Sequence, residues 1–339
     1  MKLLLIKTSS LGDVFHTFPA LTEALQHIPD LEVSWVVEEG FAAMAGWHPA
    51  VKQVIPVAWR RWRKSLFAKQ TRAEMKAFRQ AMRDVQPDLI LDAQGLIKSG
   101  VMTAFAHGPR KAGLDKRSAR ENLACLAYNE TYPVPFGSHA IWRVRQLFAA
   151  ALQYPLGHEA EFSYGLDKSR WQRPAVDGNY LVFLHGTTWV TKLWPEVHWQ
   201  TLVKTAAAAG YKVLLPWGND EEHERAKRIA SVDATAEVLP RMGLSALNAY
   251  LCFASGVVGV DTGLSHVVAG LEVPSVAIYG ATDATLTGVL GPRVEVLKAD
   301  FSCSPCLNKQ CKFDNAHPPC YDTVPPAKVW GALQAKMQA

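Results

Sequence analysis

Three short segments of this 339-residue chain combine residue types that can do chemistry. The first is Lys7-Thr8-Ser9-Ser10-Leu11-Gly12-Asp13, followed by His16, Pro19 and Ala20. Gly12 lets the backbone turn tightly where a first strand gives way to a helix, and Asp13 then projects near the helix start. A carboxylate there is either a helix cap, stabilising by about 1 kcal/mol, or a general base; the glycine-hinged, charge-rich setting favours the base. The second is His185-Gly186-Thr187-Thr188, with Lys192, Trp194, Pro195 and His198 after it. Two hydroxyls and an ammonium after a glycine turn suit phosphate oxygens, and an ordinary loop with a threonine cap remains the other reading. The third is Val260-Asp261-Thr262-Gly263-Leu264-Ser265-His266. Free N–H groups and the macrodipole at a helix start favour a diphosphate there, and Gly263 permits close backbone approach. Pro216-Trp217-Gly218 with Glu222 adds a carboxylate able to accept hydrogen bonds from ribose hydroxyls. Several such loops in one half of a chain describe a nucleotide site better than independent caps do.

The elements that must carry these loops alternate between short β-rich runs and longer amphipathic stretches. Strands are expected at 3–7, 32–37, 53–57 and 89–92, then at 180–184, 212–216, 237–239, 257–260 and 275–279. Helices are expected at 73–85, 141–152, 199–209 and 221–230, among others. This alternation means βαβ units and parallel sheets covered on both faces. In such sheets ligands bind outside the carboxyl ends of the strands, which is where all the segments above fall. The polar, proline-containing stretch 154–179 separates two similar doubly wound α/β halves, with a cleft expected between them. Neither G-x-G-x-x-G nor G-x-x-x-x-G-K-[ST] is present, which disfavours a nucleotide-dependent oxidoreductase and a P-loop enzyme.

Charge is unevenly divided. Residues 1–160 hold 20 Lys/Arg and 14 Asp/Glu, whereas residues 161–339 hold 16 and 17. The basic excess therefore belongs to the first half and points to an anionic partner there. It concentrates in residues 59–83, where Arg60, Arg61, Arg63, Lys64, Lys69, Arg72, Lys76, Arg79 and Arg83 face a single acid, Glu74. Trp59 and Trp62 interleave with the arginines, a pattern suited to a membrane interface. No recognised nucleic-acid motif accompanies the charge, so nucleic acid is not the expected partner. The apolar start of the chain stops at Lys7, short of the ~7–15 apolar residues of a signal peptide. No run approaches the ~20 residues needed to span a bilayer. A cytoplasmic location follows as the expectation.

K-T-S-S-L-G-D, W-V-V-E-E-G-F at 35–41, R-R-W-R-K at 60–64, D-A-Q-G-L-I-K-S at 92–99, T-T-x-x-x-K-x-W-P and D-T-G-L-S-H, in this order, resemble the lipopolysaccharide heptosyltransferase I family of ADP-heptose transferases. The resemblance runs from residue 1 to about residue 290. It implies a GT-B fold, with an acceptor-binding Rossmann-like domain over 1–160, an ADP-heptose-binding one over 175–325, and a C-terminal helix at 326–339 packing back on the first domain. It further implies inverting transfer of L-glycero-D-manno-heptose from ADP-heptose to the inner Kdo of Kdo2-lipid A, without cofactor or metal, at the cytoplasmic face of the inner membrane. Carried over by residue, Asp13 is the catalytic base and Lys192 offsets charge on the departing ADP. Thr187, Thr188, Lys192, Glu222, Met242, Asp261, Thr262, Gly263 and His266 bind the donor. Ser10, Gly12, Arg60, Arg61, Arg63, Lys64, Gln94, Lys98, Arg120 and Arg143 fall on the acceptor side.

Cys303, Cys306, Cys311 and Cys320 raise the question of a zinc site. One C-x2-C arm without a second leaves that set incomplete, and packed, reduced thiols are the expectation. The C-S-P-C-x4-C piece is closer to heptosyltransferase II, which keeps transfer to the first heptose open as an alternative. A non-catalytic sugar-nucleotide or lipid A binding protein is the other rival; it would have no need of a carboxylate at position 13.

Overall fold

The computed structural model describes residues 1–313 and 317–339. The chain divides into two compact units, Met1–Asp167 and Lys168–Ala339. The first holds strands β1 (Lys2–Ile6), β2 (Glu32–Glu38), β3 (Val51–Val57), β4 (Leu89–Asp92), β5 (Arg110–Leu114) and β6 (Glu130–Tyr132). They form one sheet in the order β3-β2-β1-β4-β5-β6, and every pairing in it is parallel. The second unit holds β7 (Tyr180–Leu184), β8 (Lys212–Leu215), β9 (Ala236–Val238), β10 (Gly256–Val260), β11 (Ser275–Tyr279) and β12 (Val294–Lys298), ordered β12-β11-β10-β7-β8-β9. Counted within each unit, both sheets have the same doubly wound order, with the direction of winding reversing between the first and fourth strands. Crevices at the carboxyl ends of those two strands are the ligand-binding positions of such sheets. In the first unit the reversal lies between β1 and β4, where Ile6 is opposite Asp92. In the second it lies between β7 and β10, where Leu184 is opposite Gly259.

Burial explains why these segments are strands. Leu3, Leu4, Leu5 and Ile6 in β1, and all five residues of β7, are buried, as expected for central strands covered by helices on both faces. The helices Phe18–His27 and Ala140–Leu152 pack together on the first sheet. They are joined by a buried Arg145–Glu23 pair at 2.9 Å, and Arg145 also donates to the carbonyls of His158 and Glu159. Gly157 N–H donates to Glu23 at 2.7 Å, so one ion pair fixes the last stretch of the first unit. Removing one partner of such a pair costs about 3–5 kcal/mol.

The structure differs from the sequence expectation in two respects. Strands β5, β6 and β12 were not anticipated; R-K-A-G-L carries two cations and a glycine, and β6 is three residues long. The C-terminal helix, Pro326–Gln338, was expected on the first domain. Its contacts are with β10, β11, β12 and the helix Glu196–Ala208, because Val329 and Leu333 bury completely in the second unit's core beside Leu181 and Val258.

Candidate active site

In the first unit the residues after β1 and β4 lock into one structure. Thr8 and Ser9 donate their N–H groups to Gln94 Oε1 at 2.8 and 3.1 Å, and Gln94 Nε2 donates back to the carbonyl of Ser9. Lys98, on the helix Ile97–Phe105, donates to Ser9 Oγ at 2.6 Å. Asp92 accepts from the N–H groups of Gln94 and Gly95 and from Tyr128 Oη; burial pushes its carboxyl pKa up against those bonds. Gln94 and Lys98 thus grip a loop more than eighty residues away in sequence. Next in that loop, Ser10 donates both its N–H (2.9 Å) and its hydroxyl (2.7 Å) to Asp13 Oδ2. Asp13 lies in the first turn of the helix Leu11–Phe15. It therefore does cap its helix, and the same two bonds fix the direction of its carboxylate, which a positioned base requires. Lys7 is buried beneath, donating to the carbonyl of Ala93 at 2.8 Å. Burial lowers its pKa, while the charges of Asp13 and Asp92 oppose the shift.

The basic residues on this side separate into groups. Arg143 donates to the carbonyls of Pro135 and Ser118 and covers the Phe136 ring at 4.4 Å; desolvation lowers its pKa, and its charge reaches Lys7. Lys98 has its pKa lowered by burial, with Glu38 and Arg60 as charged neighbours, so Arg60 belongs to the same electrostatic neighbourhood. Arg63, Lys64 and Arg120 are exposed. Arg61 corrects the expectation: its guanidinium is held by Glu39 at 3.0 Å and Glu74 at 2.8 Å, which makes it a brace for the helix Trp59–Trp62. The tryptophans are corrected too. Trp62 is buried and donates to Glu74 at 2.7 Å, and Trp59 packs partly buried on the same core.

In the second unit the loops after β7 and β10 converge on Asp261. Thr187 Oγ1 donates to the Asp261 carbonyl at 2.9 Å. Lys192 Nζ sits 2.7 Å from the Asp261 carboxylate, and Thr282 adds a hydroxyl to that carboxylate. Lys192 also lies 4.6 Å over the Trp189 ring. This sets a half-buried, oriented ammonium beside threonine hydroxyls, as anionic phosphate oxygens require. Thr262 stands just ahead of the helix Gly263–Gly270 without a side-chain capping bond, with Gly263 as the helix's first residue and His266 buried in its first turns. Glu222 accepts the Gly218 N–H at 2.7 Å. A Cβ on Gly186 would meet the Glu222 carboxyl, so glycine is what lets the loop after β7 reach the carboxylate. Thr188 is exposed and Met242 half-buried ahead of the helix Leu244–Cys252. His185 does not supply charge: burial lowers its pKa to about 4.

Sequence reasoning missed Trp189, Thr282 and Ser9 as participants. Trp189 and Ser9 lie inside the quoted motifs, and Thr282 lies just past the carboxyl end of β11, where strand-end position was the available signal. Among the described residues no group of three or more His, Cys, Asp or Glu is arranged to hold a metal ion. Cys303, Cys306, Cys311 and Cys320 are free thiols; burial, then the neighbouring three, push the Cys320 thiol up to about 11.

The model of glycosyltransferase family 9 (heptosyltransferase) matches residues 75–317. The chain belongs to this family. It is 46% identical to lipopolysaccharide heptosyltransferase 1 of Pseudomonas aeruginosa, over 100% of this chain and 99% of that one. An Escherichia coli heptosyltransferase solved with ADP superposes with a TM-score of 0.84 at 46% identity, covering 88% of this chain and 94% of that one. Its complex with ADP-2-deoxy-2-fluoro heptose gives 0.81 over the same shares. The enzyme thus has the GT-B type of architecture that the motifs implied. Lipopolysaccharide heptosyltransferase 2 of Salmonella typhimurium is 29% identical over 32% of this chain, so the sequence likeness to type 1 is the closer and the longer.

Proposed function

We propose that this heptosyltransferase moves L-glycero-D-manno-heptose from ADP-heptose onto the inner Kdo of Kdo2-lipid A, with inversion and without a metal or cofactor. It works as a peripheral protein on the cytoplasmic face of the inner membrane. The acceptor hydroxyl oxygen attacks the anomeric carbon as the bond to the β-phosphate oxygen breaks; the electron pair leaves with ADP and the proton passes to Asp13. Lys192, oriented by Asp261, offsets the charge that grows on the diphosphate, an interaction that strengthens toward the transition state. Thr187 through its backbone N–H, Thr188 and the start of the helix at Gly263 donate to the phosphates, and Glu222 accepts from the ribose. Ser10, Gly12, Gln94, Lys98, Arg60, Arg63, Lys64, Arg120 and Arg143 serve the anionic acceptor.

The observation that carries this reading is the loop after β1, where a carboxylate at the reversal point of the first sheet is aimed by Ser10 and anchored through Gln94 and Lys98. Support for the donor side comes from the E. coli heptosyltransferase solved with ADP and with an ADP-heptose analogue. Support for the type 1 acceptor comes from the whole-chain likeness to heptosyltransferase 1. The test is ADP release from ADP-heptose with Kdo2-lipid A, with the same acceptor already carrying one heptose, and with no acceptor. Release that depends on unsubstituted Kdo2-lipid A is expected. Preference for the heptose-bearing acceptor would transfer the assignment to the second step, and release from neither would leave a binding protein.

A further inference from the structure

The structure presents an apolar strip next to a cationic stripe on the first unit, exposed where the tryptophans that the sequence had suggested for a membrane interface are wholly or partly buried. On the helix Ile97–Phe105, Ile97, Val101 and Phe105 recur every fourth residue and are exposed, which puts three large apolar side chains on one face toward water. The short helix Asn122–Ala127 packs directly against it, where a Cβ on Gly100 would lie 3.0 Å from Ala124 Cα. That neighbour adds Leu123 and Leu126, 60% and 77% exposed. Apolar groups of this size, clustered rather than scattered, mark a surface that something else covers.

The adjoining helix, Lys69–Asp84, carries Lys69, Arg72, Lys76, Arg79 and Arg83 at steps of three and four residues. That spacing keeps all five on one face, and all five are exposed. The two features are continuous. Arg79 lies 4.9 Å over the Phe105 ring, and a groove lined by Trp59, Met75, Phe78, Met82, Val101 and Phe105 runs between the helices. Trp62 is buried and bonded to Glu74, so it is unavailable to a bilayer. Among the described residues no helix is long and apolar enough to cross a membrane.

We propose that Val101, Phe105, Leu123 and Leu126 insert shallowly into an anionic lipid bilayer, with the Lys69–Arg83 stripe resting on its headgroups. The occupant follows from charge complementarity: apolar side chains alone would suit a second protein, but a row of five cations beside them matches acidic headgroups, and binding through both parts is how interfacial surfaces reach useful affinity. The same helix that presents Val101 and Phe105 carries Lys98, which holds Ser9 in the loop of Asp13. Docking this face therefore brings the acceptor loop close to the lipid surface, so that a membrane-anchored sugar reaches the base while its acyl chains stay in the bilayer. This inference rests on the acceptor being a lipid, as proposed above.

The test is co-sedimentation of the full chain with vesicles of three parts phosphatidylethanolamine to one part phosphatidylglycerol, and with phosphatidylcholine vesicles. Wild type should bind the anionic vesicles and release at high salt. The variant V101S/F105S/L123S/L126S, and separately R72Q/K76Q/R83Q, should each lose about tenfold or more in anionic-vesicle affinity. Both should keep wild-type ADP affinity and wild-type turnover on a de-acylated, soluble acceptor, which shows that they are folded. Equal binding to neutral vesicles, retained binding by the serine variant, or a concentration-dependent dimer that the serine variant abolishes would each overturn the proposal. If wild type binds anionic vesicles but turns over neither acceptor, the catalytic reading fails and the docking surface stands. If it turns over the soluble acceptor without binding vesicles, the reverse holds.

Discussion

The two units share one strand order and one location for chemistry, yet their crevices are built in opposite ways. After β1, a side-chain amide and an ammonium from the β4 side clamp a serine-rich loop and leave a carboxylate as its reactive group. After β7, two loops meet on an aspartate whose partners are an ammonium and hydroxyls. The first arrangement suits removing a proton from a nucleophile, the second suits holding an anionic leaving group. The lesson is that a repeated scaffold fixes where the crevice is, while the charge set at each reversal point sets what chemistry that crevice can support.

The largest expected effect is on the first crevice. D13A should lower turnover by roughly 10²–10⁴-fold, the range for loss of a general base, in steady-state assays of heptosyl transfer. Because Asp13 also caps its helix, the same variant should lose about 1 kcal/mol of stability in urea titrations. Loss of stability with near-normal turnover would reduce Asp13 to a cap.

A smaller effect separates the cations. R60A/R63A/K64A should raise the acceptor KM by about tenfold, on the scale of one or two charge-assisted contacts, and leave the donor KM where it was. Arg61 is left in place because Glu39 and Glu74 hold it. A donor KM that rises more than the acceptor KM would show that the charge-based division is wrong.

A further effect is on stability against pH, and here the two units should behave alike. Burial lowers the pKa of His48 in the first unit to about 3 and of His185 in the second to about 4. Their folded values lie below the unfolded one, near 6.5, so both contribute stability in full above pH 6.5. The contribution is lost as pH falls from 6.5 toward 3 and 4 respectively, at up to about 1.4 kcal/mol per pH unit for each histidine. Urea titrations between pH 7 and pH 4 check this. H48N should flatten the dependence, and an unchanged slope would mean that His48 is not held neutral.

Much of this was legible in the sequence, for identifiable reasons. Central strands such as Leu3–Ile6 and Tyr180–Leu184 are continuous apolar runs because parallel sheets bury both faces, and loops carrying Gly with Asp, Thr or Lys follow them directly. Two strands of the first sheet were not legible: Arg110–Leu114 opens on two cations and holds a glycine, and Glu130–Tyr132, at the sheet's edge, is three residues long and charged, since an edge needs neither two buried faces nor length. Partnership was the other gap. Composition counted Arg61 with its neighbours as an available cation and Trp59 and Trp62 as interfacial. Only the fold brings Glu39 and Glu74 to Arg61 and folds Trp62 into the core. Leu123 and Leu126 look like ordinary core residues in sequence, and only their place on a short helix shows them facing water.

The division between the two crevices is tested most directly by titrating ADP calorimetrically into D13A and K192A side by side with wild type. D13A should bind ADP with wild-type affinity, the outcome expected of the acceptor role proposed for its carboxylate. K192A should bind about 10–100-fold more weakly, the equivalent of losing one charge-assisted contact to phosphate of about 1.5–3 kcal/mol. Equal loss in both variants, or unchanged affinity in K192A, would contradict the assignment of the donor to the second unit's crevice.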